Sequence, residues 1–441
     1  MLETFLNDPL YLQVDIALLG MLLGAAVSAL LAFQRAGSFA GGIRRFWGAE
    51  ELLFGGWAPR PRLAAGPGLF VIAAALLQFG VFFGNSLIRE VWPGTIAAMA
   101  LVIDHLYGAA LVCKLLLASR YSGKQLAVAW PVFFVLRWVF MNNHNKWFML
   151  GVLFLLAAKD VPLRRPLKVC LAVGAASLAV VMTGAALGWI PTLLLEGGRP
   201  RNSFGYGWPN LLGAFLLGAA VMYVCWRRAE RLKWYDFVLL GAVTVFCDRG
   251  PDSRGGTVCL ALLLAGMLAA RFLPRIFGPA LVRGLLAACP FLAFGASYWM
   301  HWAYTPDNVL LETLNGLFTG RLYLGHEALL KLTPRIAGQA DLQGAIIDNL
   351  YLGWWFSGGP VASLLVWAGF AFLLWKLLKN GRITESVCCL AFLAHGFMEP
   401  HLMWPCVNVT VWLLAGVVYL VPDGRFPSFA PVPSKKESEA P

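Results

Sequence analysis

Apolar runs recur along the whole of this chain, and they constrain its fold more than any other feature. A bilayer core about 30 Å thick is crossed by roughly 20 apolar residues in a helix, and thirteen runs meet or approach that length. Charged residues make up 13% of the 441 residues, against roughly a quarter in soluble domains. We therefore predict an all-α polytopic membrane protein, in which residues 1–421 form a single domain of about 12–13 transmembrane helices. The predicted spans are 12–33, 68–88, 95–118, 125–141, 145–159, 166–188, 209–226, 234–247, 256–273, 279–299, 353–378, 384–398 and 403–421.

The spans 125–141 and 145–159 are short, and only residues 142–145 separate them. They form either two short spans or a re-entrant hairpin. In both cases the chain returns to the side of the membrane from which it came.

Lysine and arginine are distributed unevenly between alternate loops. One set of loops holds 24 of the 35 basic residues and the other holds 9, while Lys114 and Arg137 fall within predicted helices. Basic residues concentrate in cytoplasmic loops, so we predict an amino terminus outside and a carboxyl terminus in the cytoplasm. The net charge of +12 then reflects loops that face anionic lipid, not a nucleic-acid partner. Residues 422–441 are rich in proline and charge, which predicts a disordered cytoplasmic tail.

The nine cysteines lie mostly inside or at the ends of apolar runs. None forms a CxxC pair, and none has metal-ligand spacing with a histidine. They are interpreted as packing residues, and the sequence predicts no metal site, disulfide framework or cofactor.

Three loops predicted on the outer side carry most of the outer arginines. These loops are residues 189–210, residues 247–257 and a long extracytoplasmic loop at 300–352. Arginine offers a fork of donors that fits phosphate, and neighbouring glycines let the backbone approach a ligand. The loops therefore indicate an anionic ligand at the outer surface, with arginine snorkelling to lipid headgroups as the alternative. The arginines concerned are Arg199, Arg201, Arg249, Arg254, Arg321 and Arg335.

Several ionisable residues lie within or beside the apolar runs, where charge is costly. Asp104 is expected to pair with Lys114 or Arg137, and Glu399 and His401 are expected at the outer interface. Asp348 opens a helix after the long loop, where it serves either as an N-cap or as a general base.

Four short motifs resemble the landmarks of Wzy-type polysaccharide polymerases, which belong with the O-antigen ligases. The resemblance covers about residues 195–420, and the Ser-Phe-Gly-Tyr-Gly form is similar to the Gram-positive branch. The motifs are Arg201-Asn-Ser-Phe-Gly-Tyr-Gly-Trp-Pro-Asn210, Asp252-Ser-Arg-Gly-Gly256, Thr319-Gly-Arg321 and Asp348-Asn-Leu-Tyr351.

The resemblance implies a GT-C-like membrane glycosyltransferase that acts on undecaprenyl-diphosphate-linked oligosaccharides outside the bacterial plasma membrane. Arg201 and Arg321 match the arginines taken to hold the diphosphate, which suits electrostatic stabilisation of its developing charge. Asp348 stands where the ligases usually carry a histidine followed by asparagine, so it is the candidate base. Arg254 is expected to be architectural. The resemblance also makes a chain-length regulator and a repeat-unit flippase candidate partners, and it requires no metal.

The remaining residues expected near the substrate come from the same motifs and from the carboxyl-terminal end of the resemblance. They are Arg199, Asn202, Tyr206, Asn210, Arg254, Asn349, Tyr351, Glu399 and His401.

Two other functions remain open at this point. A ligase from the same superfamily would move a finished glycan to another acceptor, although Asp348 in place of histidine weighs against it. A transporter or flippase of a lipid-linked or anionic solute would carry charges along its helices at mid-membrane. This chain concentrates arginine and glycine in outer loops instead.

Overall fold

The computed structural model describes residues 9–54, 61–195, 201–228 and 231–429, with side chains from residue 65 onward in the second range. Within these ranges, nine helices are long and apolar enough to cross a membrane. This confirms the prediction of an all-α polytopic membrane protein. The nine helices are α1 (Pro9–Ala36), α3 (Pro61–Gly84), α5 (Pro93–Leu117), α6 (Gly123–Asn143), α8 (Arg164–Ala186), α9 (Pro209–Arg227), α11 (Arg254–Phe272), α12 (Ala280–Trp302) and α16 (Gly359–Lys379).

Four of the thirteen predicted spans contain helices that are shorter than a bilayer is thick. At 1.5 Å per residue, a helix of 12 residues reaches only about 18 Å. The predicted spans are therefore nine long helices and four short segments in the described part of the chain. The short segments are α7 (Lys146–Ala157), α10 (Trp234–Arg249), α17 (Ile383–His395) and a 3-10 helix (Val409–Leu414) that continues into α18 (Ala415–Val418).

Helix α7 shows how a helix too short to cross the bilayer can lie inside the membrane-embedded part of the protein. Other parts of the protein cover this helix on all sides, because every residue from Phe148 to Ala157 is buried. It packs against the 3-10 helix Val409–Leu414. Non-helical backbone at membrane depth is tolerated where protein encloses it. The predicted pair at 125–159 is thus a full-length α6 followed by a short internal helix.

The long loop at 300–352 is folded, with helices of its own. Two small clusters of buried apolar side chains support it, one around Tyr304 and Leu322 and the other around Leu332 and Phe356. Its helices are α13 (Val309–Leu317), α14 (Arg321–Lys331) and the start of α15 (Leu350–Ser357).

The remaining elements are short. Four two-residue strands form two antiparallel pairs in the described residues, β1 with β2 and β3 with β4. The elements are α2 (Phe39–Gly48), α4 (Ile88–Val91), β1 (Glu51–Leu52), β2 (Arg120–Tyr121), β3 (Leu194–Leu195), β4 (Arg201–Asn202) and 3-10 helices at Pro274–Phe277, His401–Met403 and Asp423–Arg425.

The predicted partners of Asp104 are wrong. Its carboxylate pairs with Lys146 at the start of α7, while Arg137 Nε binds Asp15 Oδ1 at 2.7 Å. Lys114 follows Asp104 by ten residues on the same helix, which places it about 15 Å further along the axis. Lys114 Nζ instead donates to the hydroxyl of Ser119 at 2.6 Å.

The first part of the predicted tail is ordered. Phe426 and Phe429 are buried, and Lys376 Nζ lies 4.9 Å from the centroid of the Phe426 ring. Arg425 pairs with Glu50 at 3.1 Å. The predicted disorder at 422–441 therefore does not extend to 422–429, where apolar side chains find the core; residues 430–441 lie outside the described residues.

A glycine in α7 tests how closely this internal helix is packed. A Cβ at Gly151 would lie 2.5 Å from the carbonyl oxygen of Met403, so Gly151→Ala must move the backbone. Overpacking of this kind costs about 1–3 kcal/mol. We expect Gly151→Ala to lower the thermal unfolding temperature of the detergent-solubilised protein.

Gly295 in α12 is the matched control, because a Cβ there meets nothing within 4 Å. Gly295→Ala should leave the unfolding temperature unchanged or raise it, since alanine is the better helix former by about 1 kcal/mol. Equal destabilisation by both substitutions would contradict the close packing of α7.

Candidate functional site

A cleft of about 590 Å³ lies where the beginnings of α9 and α14 meet the segments that precede α15 and follow α17. It is lined by polar and aromatic side chains from parts of the chain that are far apart in sequence. Six of the predicted site residues line it. They are Arg201, Asn210, Arg321, Asp348, Glu399 and His401.

Five of these side chains, all except His401, form one continuous hydrogen-bonded network. Arg201 Nη2 donates to Asn210 Oδ1, and Asn210 Nδ2 donates to Glu399 Oε1 at 2.8 Å. Arg321 Nη2 donates to the same Glu399 oxygen at 2.8 Å, and Arg321 Nε donates to Asp348 Oδ2 at 2.9 Å. These hydrogen bonds thus connect two arginines, one amide and two carboxylates in a single network.

A turn in the first motif places Arg201. β4, which begins at Arg201, pairs with β3, and the Asn202 amide oxygen accepts from the backbone N–H of Phe204 at 2.7 Å. Phe204 and Gly205 both have positive φ, 50° and 85°, and glycine adopts this conformation without steric cost. Tyr206 is fully buried and forms a backbone bridge with Ser86.

Asn202 and Tyr206 were expected near the substrate, but in the structure they lie outside the cleft. Neither is among the described residues that line the cleft. Asn202 holds the turn, and the Tyr206 ring packs edge-on against Phe215 at 5.4 Å between centroids. Burial also raises the pKa of the Tyr206 hydroxyl. Both residues support the loop that carries Arg201.

Arg321 is placed by the Thr-Gly pair that precedes it. Thr319 and Gly320 have φ of 55° and 82°, and the Gly320 N–H donates to the Asn315 carbonyl at 2.8 Å. This turn ends α13 and starts α14 at Arg321. The Arg321 side chain is only 11% exposed, so its charge depends on the protein partners described above.

The helix cap after the long loop is Asn349, and the prediction that Asp348 could serve as the cap is wrong. Asn349 Oδ1 accepts from the Leu352 N–H at 3.0 Å and from Ser297 Oγ at 2.9 Å. Its amide nitrogen donates to the Phe397 carbonyl at 3.0 Å. An N-cap side chain accepts from the N–H two or three residues later, and Asn349 does so with Leu352, which leaves Asp348 to pair with Arg321.

Tyr351 and Arg254 also lie outside the main cleft. Tyr351 is fully buried, and its hydroxyl donates to the Leu393 carbonyl at 2.6 Å. Arg254 begins α11, lies within reach of the Gly316 carbonyl at 3.5 Å, and lines a much smaller cavity beside the cleft. Tyr351 therefore joins α15 to α17, and Arg254 faces the smaller cavity together with Arg201 and Arg321.

The second motif joins α11 to α9. A Cβ at Gly256 would lie 3.0 Å from the Cα of Gly213, so the two helices approach each other through glycine on both sides. Arg249 is exposed and pairs with its neighbour Asp248 at 3.4 Å. Arg335 is also exposed, and Arg199 lies outside the described residues. Neither Arg249 nor Arg335 reaches the described wall of the cleft.

Burial controls the protonation of two groups in the cleft. Burial raises the pKa of Glu399 to about 7, against the opposing influence of Arg321 and with a further upward contribution from Asp348. Burial also lowers the pKa of His401, and the nearby His395 and Arg321 lower it further. At neutral pH the imidazole is therefore uncharged, while Glu399 is near its midpoint of titration.

An apolar groove of about 530 Å³ is lined by residues that flank Asn85 in the sequence. Its wall includes Phe83, Ile88 and Trp189, while Asn85, between Phe83 and Ile88, lines the cleft. The short segment around α4 thus separates a polar cavity from an apolar one. A hydrogen bond from the Leu87 N–H to the Gly205 carbonyl at 2.7 Å joins this segment to the Arg201 loop.

No three His, Cys, Asp or Glu side chains come together to hold a metal ion in the part of the chain that the structure describes. The chain matches no family model, no curated protein sequence and no solved structure.

The centre of the network was only partly predictable from the sequence. Glu399 and Asn210 are 189 residues apart, and neither belongs to a motif that predicts their contact. The available signal was a carboxylate at the end of an apolar run, where an ionisable side chain needs a partner. Asn85 was not predicted at all.

The cap assignment can be tested by two neighbouring substitutions. Asn349→Ala removes the cap and the bonds to Ser297 and Phe397, so we expect destabilisation of about 0.5–2 kcal/mol, measured by thermal unfolding. Asp348→Ala breaks one partly exposed ion pair and should cost less. A larger loss for Asp348→Ala would contradict the assignment of Asn349 as the cap.

Proposed function

We propose that this protein is a GT-C-like membrane glycosyltransferase that polymerises undecaprenyl-diphosphate-linked oligosaccharide repeat units into surface polysaccharide. The observation that carries the proposal is the meeting of Arg201 and Arg321 in one cleft. They come from motifs 120 residues apart, yet both are joined to Glu399, directly or through Asn210. Three of the four motifs of the resemblance contribute a lining side chain.

The positive ends of helices add to the arginines. α9 begins at Pro209 and α14 at Arg321, both in the cleft wall, and α15 begins two residues after Asp348. The dipole of a helix favours negative charge at the start of the helix. Phosphate groups bind at such positions. A diphosphate is therefore the ligand that suits this cleft best.

The proposed reaction uses the cleft as follows. A hydroxyl of the incoming repeat unit attacks the anomeric carbon of the growing chain, and the bond from that carbon to the diphosphate breaks. The electron pair leaves with the lipid diphosphate, whose charge Arg201 and Arg321 stabilise. A cleft carboxylate, Asp348 or Glu399, accepts the hydroxyl proton. The anomeric configuration is inverted.

The apolar groove supports a lipid-linked donor. Its walls between Phe83 and Trp189 suit a prenyl chain, while the attached diphosphate reaches the cleft past Asn85. The excess of basic residues in the alternate loops supports a position of the cleft on the outer face of the bacterial plasma membrane. A repeat-unit flippase would supply this face, and a chain-length regulator would act on its product.

Purified protein in lipid, given a lipid-linked repeat unit, should produce a ladder of chain lengths. A single transfer product without lengthening would support the ligase alternative. Solute flux into liposomes that survives loss of both arginines would support a transporter. No product with a substrate shown to be correct would exclude the polymerase.

Arg201→Ala and Arg321→Ala should each lower the rate of polymerisation about 10²–10³-fold, because each removes a donor to the developing charge. Arg249→Ala is the matched control, since Arg249 is exposed and lies away from the cleft wall. The rate would be measured from the ladder, with membrane insertion checked for each variant. Equal losses in all three variants would point to a general effect of surface charge.

A further inference from the structure

Two carboxylates contact Arg321 through different nitrogens, and their surroundings differ. The Glu399 side chain is 13% exposed, whereas that of Asp348 is 42% exposed. Glu399 connects to both arginines of the network, while Asp348 connects to Arg321 alone. The two acids are therefore not equivalent.

We propose that Glu399 accepts the proton of the attacking hydroxyl, and that Asp348 is a positioning residue for the Arg321 guanidinium. This inference rests on the proposed function, because it assigns separate roles to the two carboxylates of the same cleft. It replaces the sequence-based expectation that Asp348 is the base.

The geometry of Glu399 suits a proton acceptor. Asn210 Nδ2 and Arg321 Nη2 both donate to Oε1, at 2.8 Å each. Oε2 has no hydrogen-bond partner among the described residues, so it keeps its lone pairs for a ligand. The backbone is held by a hydrogen bond from the Glu399 N–H to the His395 carbonyl at 3.0 Å. One oxygen thus anchors the carboxylate, and the other can accept a proton.

The protonation of Glu399 supports the same role. Its pKa of about 7, raised chiefly by burial, makes it a stronger base than an ordinary carboxylate and leaves it partly ionised at neutral pH. The charged and titratable groups around it come from every segment that forms the network. They are Arg201 through Asn210, Arg321, Asp348, His395 and His401.

Asp348 acts on the orientation of Arg321. A guanidinium is planar, so bonds at Nε to Asp348 and at Nη2 to Glu399 fix the plane of the group. Nη1 has no protein partner among the described residues, and it can donate to a diphosphate oxygen. Asp348 therefore affects the position of the cation and not the proton transfer itself.

The proton and electrons balance in this scheme. The hydroxyl oxygen forms a new bond to the anomeric carbon as the bond from that carbon to the diphosphate oxygen breaks. The bonding pair leaves with the diphosphate, and the hydroxyl proton moves to Glu399. Solvent in the cleft takes the proton after the products separate. No oxidant, reductant or further reactant is required.

The test compares Glu399→Gln, Glu399→Asp and Asp348→Asn in the polymerisation assay across pH. In the wild type, kcat should fall about tenfold per pH unit below the Glu399 pKa, because only the ionised form accepts a proton. Glu399→Gln should lower kcat about 10²–10⁴-fold and abolish this pH dependence. Glu399→Asp, which keeps a carboxylate, should recover part of the rate together with the pH dependence.

Asp348→Asn should keep a pH-dependent rate, with its midpoint moved to lower pH because Asp348 contributes to raising the Glu399 pKa. It should lower kcat/KM about fivefold or less, because a partly exposed ion pair contributes little. The effect should fall mainly on KM. Glu327→Gln is the matched control, since Glu327 pairs with Lys331 on α14 away from the cleft wall. Thermal unfolding of each variant separates loss of activity from loss of folding.

The outcomes distinguish the two proposals. A ladder that Glu399→Gln leaves intact overturns the base assignment alone, as does loss of pH dependence in Asp348→Asn. Wild-type protein that makes no ladder overturns the proposed function, and the base assignment falls with it. Infrared difference spectra across pH give a readout that does not require activity. A protonated-carboxyl band that titrates near neutral pH and is absent in Glu399→Gln supports the assignment, and its persistence in that variant overturns it.

Discussion

The cleft depends on the pairing of one nearly buried cation, Arg321. Removing a charge from water costs several kcal/mol, and the cost is recovered only when partners of good geometry are present. Glu399 and Asp348 supply those partners at 2.8 and 2.9 Å. Each of them comes from a different segment, so the ion pairs require α14, the residues before α15 and the residues after α17 to meet.

Backbone hydrogen bonds hold the same segments together independently of the charges. The Leu350 N–H donates to the Gly396 carbonyl at 2.8 Å, close to the bond between the Asn349 side chain and Phe397. On the other side, His326 on α14 bonds through its ring nitrogen to the His301 carbonyl at the end of α12. Hydrogen bonds therefore position the segments that carry the arginine and its carboxylate partners, in addition to the ion pairs.

The sequence predicted what depends on local pattern and missed what depends on distant contacts. Hydropathy located a helical segment in each of the thirteen predicted spans, but it could not distinguish α7, which protein encloses, from helices that face lipid. Arginine and glycine in the loops indicated an anionic ligand, and the resemblance of the motifs implied that Arg201 and Arg321 bind it. The pairing of Asp104 with Lys146, and of Asn210 with Glu399, depends on how helices pack against one another. Choosing Asn349 over Asp348 as the cap required the observed backbone, because both side chains can cap a helix.

Charge balance within the network links proton binding to anion binding. When Glu399 is ionised, the charges of the two arginines and the two carboxylates sum to zero. When Glu399 is protonated, the network has a net charge of one positive unit, which favours an anionic ligand. An anion at the arginines therefore favours the protonated form of Glu399, and by reciprocity a proton on Glu399 favours the anion. In the proposed reaction, a donor diphosphate in the cleft strengthens Glu399 as a base at the stage when a hydroxyl must lose its proton.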